Sequence, residues 1–303
     1  MLLKREIGIS ELRPLNPNGR MFFVARVYTA YFDESYTDGF LMCVGGWLAS
    51  DTTWGKIEGR WRRRIEYEKR RSIKRGESAI DRYHASDLDN LKSQFAQEKG
   101  WDADRRKLFT KKLIDIMACN KQKINNPIGI SVGIFLSPLR ELFPSPNKEN
   151  IYKQHWAAYR ICMIQNLITL AEVMRRLYPG EQVAVIYDRG PFSSAALSAF
   201  ESFVGTSRTV NKKDIVTVAP MGWECCTALQ PADMIVYESR KLIKSGIREQ
   251  DKFRRSLQRI IGNGNILRVR YIGREALAEI RESRRLAPPP SPDFSTDEDI
   301  KKH

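Results

Sequence analysis

The run Val183-Ala184-Val185-Ile186-Tyr187-Asp188 sets five apolar residues in a row and closes them with a carboxylate. Just upstream, residues 151–178 carry apolar side chains around much of a helical circumference, and Pro179-Gly180 stops them. Just downstream, Ser193 or Ser194 opens another helix, reaching residue 204. A short apolar strand between two crossover helices predicts an α/β sheet with helices packed on its faces.

Working outward, residues 22–32 are rich in Phe, Val, Tyr and Thr and read as a strand that ends at Asp33-Glu34-Ser35. A turn at 36–39 and a buried strand at 40–48 complete a hairpin. Ser50 or Asp51 can cap the helix that follows. Residues 76–100 are polar and read as loop, carrying Tyr83-His84-Ala85-Ser86-Asp87. Asp102 opens a helix with Leu108, Phe109, Leu113, Ile116 and Met117 facing inward. Residues 128–136 are a strand weakened by Gly129 and Gly133, and Pro138, Pro144 and Pro146 mark a long connection. A strand at 215–218, a helix at 229–243 with Pro231 in its first turn, and a basic helical stretch at 247–285 follow.

The expected organisation is therefore an irregular lead at 1–20, one α/β domain at 21–285 with a helical insertion and a C-terminal helical extension, and a disordered tail at 286–303. Pro14 and Pro17 break the lead; Pro288-Pro289-Pro290 and an acidic end mark the tail. The sheet is expected to be mixed and flanked by helices.

The chain has 303 residues with 51 Lys and Arg against 36 Asp and Glu, a formal charge of +15. Apolar residues are 42% and charged residues 29%, an ordinary globular balance that excludes disorder throughout. The longest mostly apolar run, residues 40–49, is too short for the roughly 20 residues of a membrane span. The charged N-terminus does not read as a secretory signal. Five cysteines without a CxxC pair give no zinc knuckle and fit a reduced, cytoplasmic setting. Cys225-Cys226 could be redox-active; two small buried residues are the plainer reading.

The positive charge is concentrated. Nine of the sixteen residues at 60–75 are Lys or Arg, among them Arg60, Arg63, Arg64, Arg70, Arg71, Lys74 and Arg75. Trp54, Ile57, Trp61 and Ile65 recur at three and four, so an apolar stripe faces a core and a basic face looks outward. Such a face suits nucleic-acid phosphates, and its alternative is a solvated surface helix.

Against that background, three acids stand where such folds place active sites: Asp33 after the first strand, Asp188 after Val183–Tyr187, and Asp233 at the start of the 229–243 helix. Crowded carboxylates repel unless cations relieve them, and hard oxygens suit Mg²⁺ or Mn²⁺. Two such ions about 4 Å apart can activate a water and stabilise the leaving oxygen of a phosphodiester. Each Asp could instead be a turn or cap residue. Glu34 points away from Asp33 by strand alternation, unless a strand end lets both contribute. His84 could be a metal ligand, a general base or a satisfied loop residue. Glu224 could be an outer ligand or a surface acid; Arg189 and Lys212 or Lys213 could meet phosphate. Walker A, GxSxG, GxGxxG and HExxH patterns are absent.

Phe32-Asp33-Glu34-Ser35 with Val44-Gly45-Gly46, Tyr83-His84-Ala85-Ser86-Asp87-Leu88, Ile186-Tyr187-Asp188-Arg189 and Leu229-Gln230-Pro231-Ala232-Asp233-Met234 together resemble the bacterial and phage family called domain of unknown function 3800, over about residues 28–245. The resemblance implies a ribonuclease H-like fold with an acidic metal site at Asp33, Asp188 and Asp233, with Glu34, His84 and Gln230 nearby, in mobile elements or phage defence. Gly222-Trp223-Glu224-Cys225 departs from that pattern and leaves the role of Glu224 open. The expected function is a metal-dependent nuclease. The alternatives are a non-catalytic nucleic-acid-binding or scaffolding module on the same fold and a strand-transfer enzyme. The proline-rich tail could dock on a protein partner or on the basic face.

Overall fold

A computed structural model describes residues 27–37, 39–118, 126–144, 151–206, 214–246 and 254–282. Strands β1 (Val27–Thr37) and β2 (Leu41–Ser50) form the expected hairpin, and helix α1 (Asp51–Lys74) follows at once, capped by Ser50. Next come α2 (Ala85–Asn90), α3 (Ala103–Met117), β3 (Ile128–Phe135), α4 (Leu136–Leu142) and the long α5 (Ile151–Leu177). The chain then runs through β4 (Gln182–Asp188), α6 (Ser193–Thr206), β5 (Ile215–Met221), α7 (Leu229–Ser245), α8 (Arg255–Gly262), β6 (Ile266–Ile272) and α9 (Arg274–Glu282).

The six strands form one mixed sheet in the order β5-β4-β1-β2-β3-β6. Because β1–β2 and β2–β3 are antiparallel and the other pairs are parallel, β2 alone runs against the rest. Strand alternation divides the core. Tyr28, Ala30 and Phe32 of β1 and Val183, Val185 and Tyr187 of β4 pack with α5 and α6. Tyr31 of β1 and Trp47 of β2 face the layer made by α1, α3 and α7. Gly46 lets β1 and β2 approach, since a Cβ there would lie 1.7 Å from the Tyr31 carbonyl oxygen.

Several boundaries differ from the sequence reading. β1 runs past Asp33 to Thr37, because β2 goes on pairing with it after β4 has stopped. The 76–100 segment contains α2 and two single 3₁₀ turns, whose few apolar residues show no period. Pro138 sits in the first turn of α4, where its missing N–H costs nothing. Residues 247–285, expected to be helical and less well defined, include β6, whose alternating Leu267-Arg268-Val269-Arg270 is the pattern of a half-covered edge strand. Leu108, expected inward on α3, is exposed, whereas its neighbours Phe109, Leu113 and Met117 on the helix are buried. Cys43, Cys162 and Cys226 are buried free thiols, whereas Cys225 is exposed. The expected lead at 1–20, the tail at 286–303, and Lys212 and Lys213 lie outside the described residues. Among the described residues no helix is long and apolar enough to cross a membrane.

Candidate acidic active site

Phe32 pairs with Tyr187 in parallel register, so Asp33 and Asp188 come next along neighbouring strands. Both point to the α7 side, opposite Phe32 and Tyr187. On that side α7 crosses β1 and β2 and presents Asp233 at the start of its second turn. Three distant stretches thus bring their aspartates within electrostatic reach of one another. Glu34 starts on the α5 face, but β4 has ended there, and its Oε1 lies over Gly190 in the turn after Asp188.

The carboxylates feel one another. Burial, then Glu34, Asp233 and Asp188, push Asp33 well above the ordinary carboxylate range, although its Oδ1 accepts the Glu34 N–H at 2.7 Å. Burial, then Asp188 and Asp233, push Glu34 up to about 8. Asp233 is raised to about 6 by burial, despite the pull of His84, the Ala85 N–H and Arg82. Asp188 is raised by burial and by Glu224, against Arg82 and Arg189. Among the described residues none of these four carboxylates makes an ion pair with Lys or Arg.

Gln230 and Asp233, three apart on α7, grip the loop before α2. Gln230 Oε1 accepts the Trp61 indole N–H at 3.0 Å and the Tyr83 N–H at 2.8 Å. Asp233 Oδ2 accepts the Ala85 N–H at 2.7 Å. Gln230 is therefore a positioning residue whose carbonyl is fully engaged. Replacing it with Leu orphans two buried donors, at about 1–3 kcal/mol each, and should lower the urea midpoint accordingly; an unchanged midpoint contradicts this role.

His84 caps α2 without a side-chain hydrogen bond; its Nδ1 lies 3.1 Å from Asp87 Oδ2, near in distance but without hydrogen-bond geometry. Glu224 is exposed, yet its carboxylate and the Arg189 guanidinium share the space over Gly222, where a Cβ would come within 2.3 Å of Glu224 Oε2 and 3.2 Å of Arg189 Nη2.

Sequence reasoning missed Arg82 and Tyr159, and it quoted Tyr83 without giving it a role. Arg82 lies over the Trp223 ring at 4.1 Å and is the cation that reaches both Asp188 and Asp233 electrostatically. Tyr83 and Tyr159 are buried phenols raised by burial, then by Asp233 and by Glu34 respectively. A lone arginine in a polar loop and a tyrosine in an apolar helix carry no local signal of this kind.

As the side chains stand, no three His, Cys, Asp or Glu among the described residues converge into a metal-holding group. The chemistry of the acids nevertheless fits a hard dication: the donors are oxygen, and the burial and repulsion that raise their proton affinity find no cationic side chain in contact.

The basic helix keeps part of its charge for itself. Glu68 is wholly buried, bonded to Arg64, 3.8 Å from Arg71 and 3.4 Å from Arg105, which also bonds Glu77 at 2.6 Å. Arg64 and Arg71, expected on a phosphate-binding face, thus stand beside this buried acid. Arg70 pairs with Glu66 at 2.7 Å and Arg75 lies 3.9 Å from Glu77. Arg60, Arg63 and Lys74 are exposed and make no ion pair among the described residues. Changing Glu68 to Gln removes the buried carboxylate that Arg64, Arg71 and Arg105 share, leaving Arg105 with Glu77 alone, and should cost about 1.5–3 kcal/mol of stability in chemical denaturation; a loss below about 1 kcal/mol contradicts the network.

Comparison of the chain with protein-family models, with curated proteins and with solved structures gives no match.

Proposed function

We propose that the chain is a metal-dependent nuclease that hydrolyses nucleic-acid phosphodiester bonds. The observation that carries this reading is that Asp33, Asp188 and Asp233, from three distant stretches, act on one another electrostatically where β4 ends. Asp33, Asp188 and Asp233 would hold Mg²⁺ or Mn²⁺, as one ion or two, with Glu34 beside them. Such ions polarise a phosphoryl oxygen and lower the pKa of water. Around them, the chain's own residues do the rest. Gln230 and the Asp233–Ala85 hydrogen bond fix the loop that carries Arg82 and His84. Arg82 and Arg189 would offer guanidinium groups to phosphate, and His84 would carry a proton. Arg60, Arg63 and Lys74 extend the attraction for a strand's backbone.

The strand order, with β2 alone reversed and acids where β1 and β4 part, supports a ribonuclease H-like fold. A place in phage defence or a mobile element follows from the resemblance of the four motifs.

The alternative, a non-catalytic nucleic-acid-binding module, has one observation in its favour: Asp233 already serves as acceptor for a backbone N–H. Incubation with labelled DNA and RNA, in Mn²⁺ or in chelator, separates the two. Products that appear only with metal support the nuclease. Salt-dependent binding without metal-dependent products favours the module.

A further inference from the structure

A cavity of about 450 Å³ opens between α2, α3, α7 and α8, on the far side of the loop that Gln230 and Asp233 hold. That is the size of a small-ligand site. Its wall is cationic: Arg106, Lys107 and Lys111 from α3, Arg254 and Arg255 at the head of α8 and Arg259 in its last turn, against the carboxylates of Asp89 and Glu238.

Those two acids are already engaged. Asp89 takes both arms of the Arg254 fork, at 3.0 and 2.6 Å, and the Tyr237 hydroxyl at 2.8 Å. Glu238 lies 3.3 Å from the same arginine. Arg259 is answered by Asp115 from outside the cavity, and Lys107 by Asp104. Arg106 donates to the Asp89 backbone carbonyl at 2.6 Å, and no carboxylate among the described residues pairs with Arg106, Lys111 or Arg255. The floor is apolar, from Ala85, Leu88 and Ile114. At the same opening, α8 begins without a side-chain cap or an acidic residue in its first turn. Three cations that no carboxylate pairs with among the described residues, around an apolar floor, are the chemistry of a phosphorylated, ring-bearing ligand.

We infer that this cavity is a second, metal-independent site that binds the phosphate and base of a nucleotide, either free or at the 5′ end of a strand. It goes beyond the nuclease reading and does not require the acids to cleave anything. Because Tyr83 and Ala85 line the cavity and donate their N–H groups to Gln230 and Asp233, occupancy would be felt at the acidic site through one short loop.

Calorimetric titration of the full chain in chelator tests this with adenosine, AMP, and one hexanucleotide carrying either a 5′-phosphate or a 5′-hydroxyl. The expected result is binding that requires the phosphate. It weakens at least tenfold in Lys111→Gln/Arg255→Gln and persists in Asp188→Asn, with thermal midpoints of both variants checked against the parent. Binding of AMP assigns a free nucleotide; binding of the phosphorylated hexamer alone assigns a strand end. No preference for AMP over adenosine together with none for the phosphorylated hexamer over the unphosphorylated one, or full affinity in the double variant, overturns the proposal. Failure here with metal-dependent cleavage intact removes the cavity and leaves the nuclease.

Discussion

Changing Asp188 to Asn should abolish metal-dependent cleavage, lowering the rate at least ~10³-fold while the fold is kept. A metal held by carboxylates supplies several kcal/mol to the reaction, and each 1.36 kcal/mol is a factor of ten. Asp188 is the informative position because it ends β4 and its side chain makes no ion pair among the described residues. Its loss therefore strands no cation, and an Asn carbonyl can still accept the Arg189 backbone N–H that the carboxylate takes. Asp33→Asn should behave alike. Asp233→Asn should lose activity and also loosen the Ala85 contact, so its midpoint is harder to interpret. Cleavage rates within tenfold of the parent in Asp188→Asn would remove the acids from the chemistry.

The second large effect is on stability. Crowded acids whose folded pKa values lie above those of the unfolded chain contribute stability that is fully present below the unfolded value, near pH 4. It is lost as pH rises through the folded values, about 6 for Asp233 and about 8 for Glu34. In chelator the protein should thus be less stable at pH 8 than at pH 5, by an amount on the order of 1–3 kcal/mol after allowing for partial solvent screening. At about 2–4 °C per kcal/mol this is a fall of several degrees in Tm. Mn²⁺ should reverse the fall at pH 8 and do little at pH 5, where protons compete for the same oxygens. Glu34→Gln should flatten the profile in chelator. Asp89 adds no slope in this window: burial works against its charge, but Arg254 and Tyr237 win and hold it down to about 2, so it is ionised throughout. A Tm that rises from pH 5 to pH 8 in chelator, or that ignores Mn²⁺ at pH 8, contradicts the picture of a strained acidic cluster.

The elements with a long apolar period were legible in the residues. α5 is apolar around most of its girth and lies in the core beneath the sheet. The stripe Trp54, Ile57, Trp61 and Ile65 faces inward on α1 as its spacing requires. Val183–Tyr187 is a wholly apolar strand because the side chains on both of its faces are buried. What escaped was short or tertiary. α2 has only six residues, and its stability comes from the grip of α7 rather than from its own period. β6 hid inside a basic stretch because an edge strand alternates charge with apolar residues, and the arginines read first.

The site divides in the same way. Strand ends mark Asp33 and Asp188, and the oddity of an acid in an apolar helix marks Asp233. Glu68 was invisible, since only three-dimensional packing turns a surface-like Arg-rich helix into a buried ion network. Gln230 is tied to Trp61 across 169 residues, a contact no local pattern reports.

The most direct test is a crystal soaked in Mn²⁺ and examined by anomalous scattering. One or two peaks among Asp33, Asp188 and Asp233, absent from a soaked Asp188→Asn crystal, are the result expected here. Strong peaks elsewhere on the protein with none at these three aspartates, at a concentration that supports full activity, would contradict it.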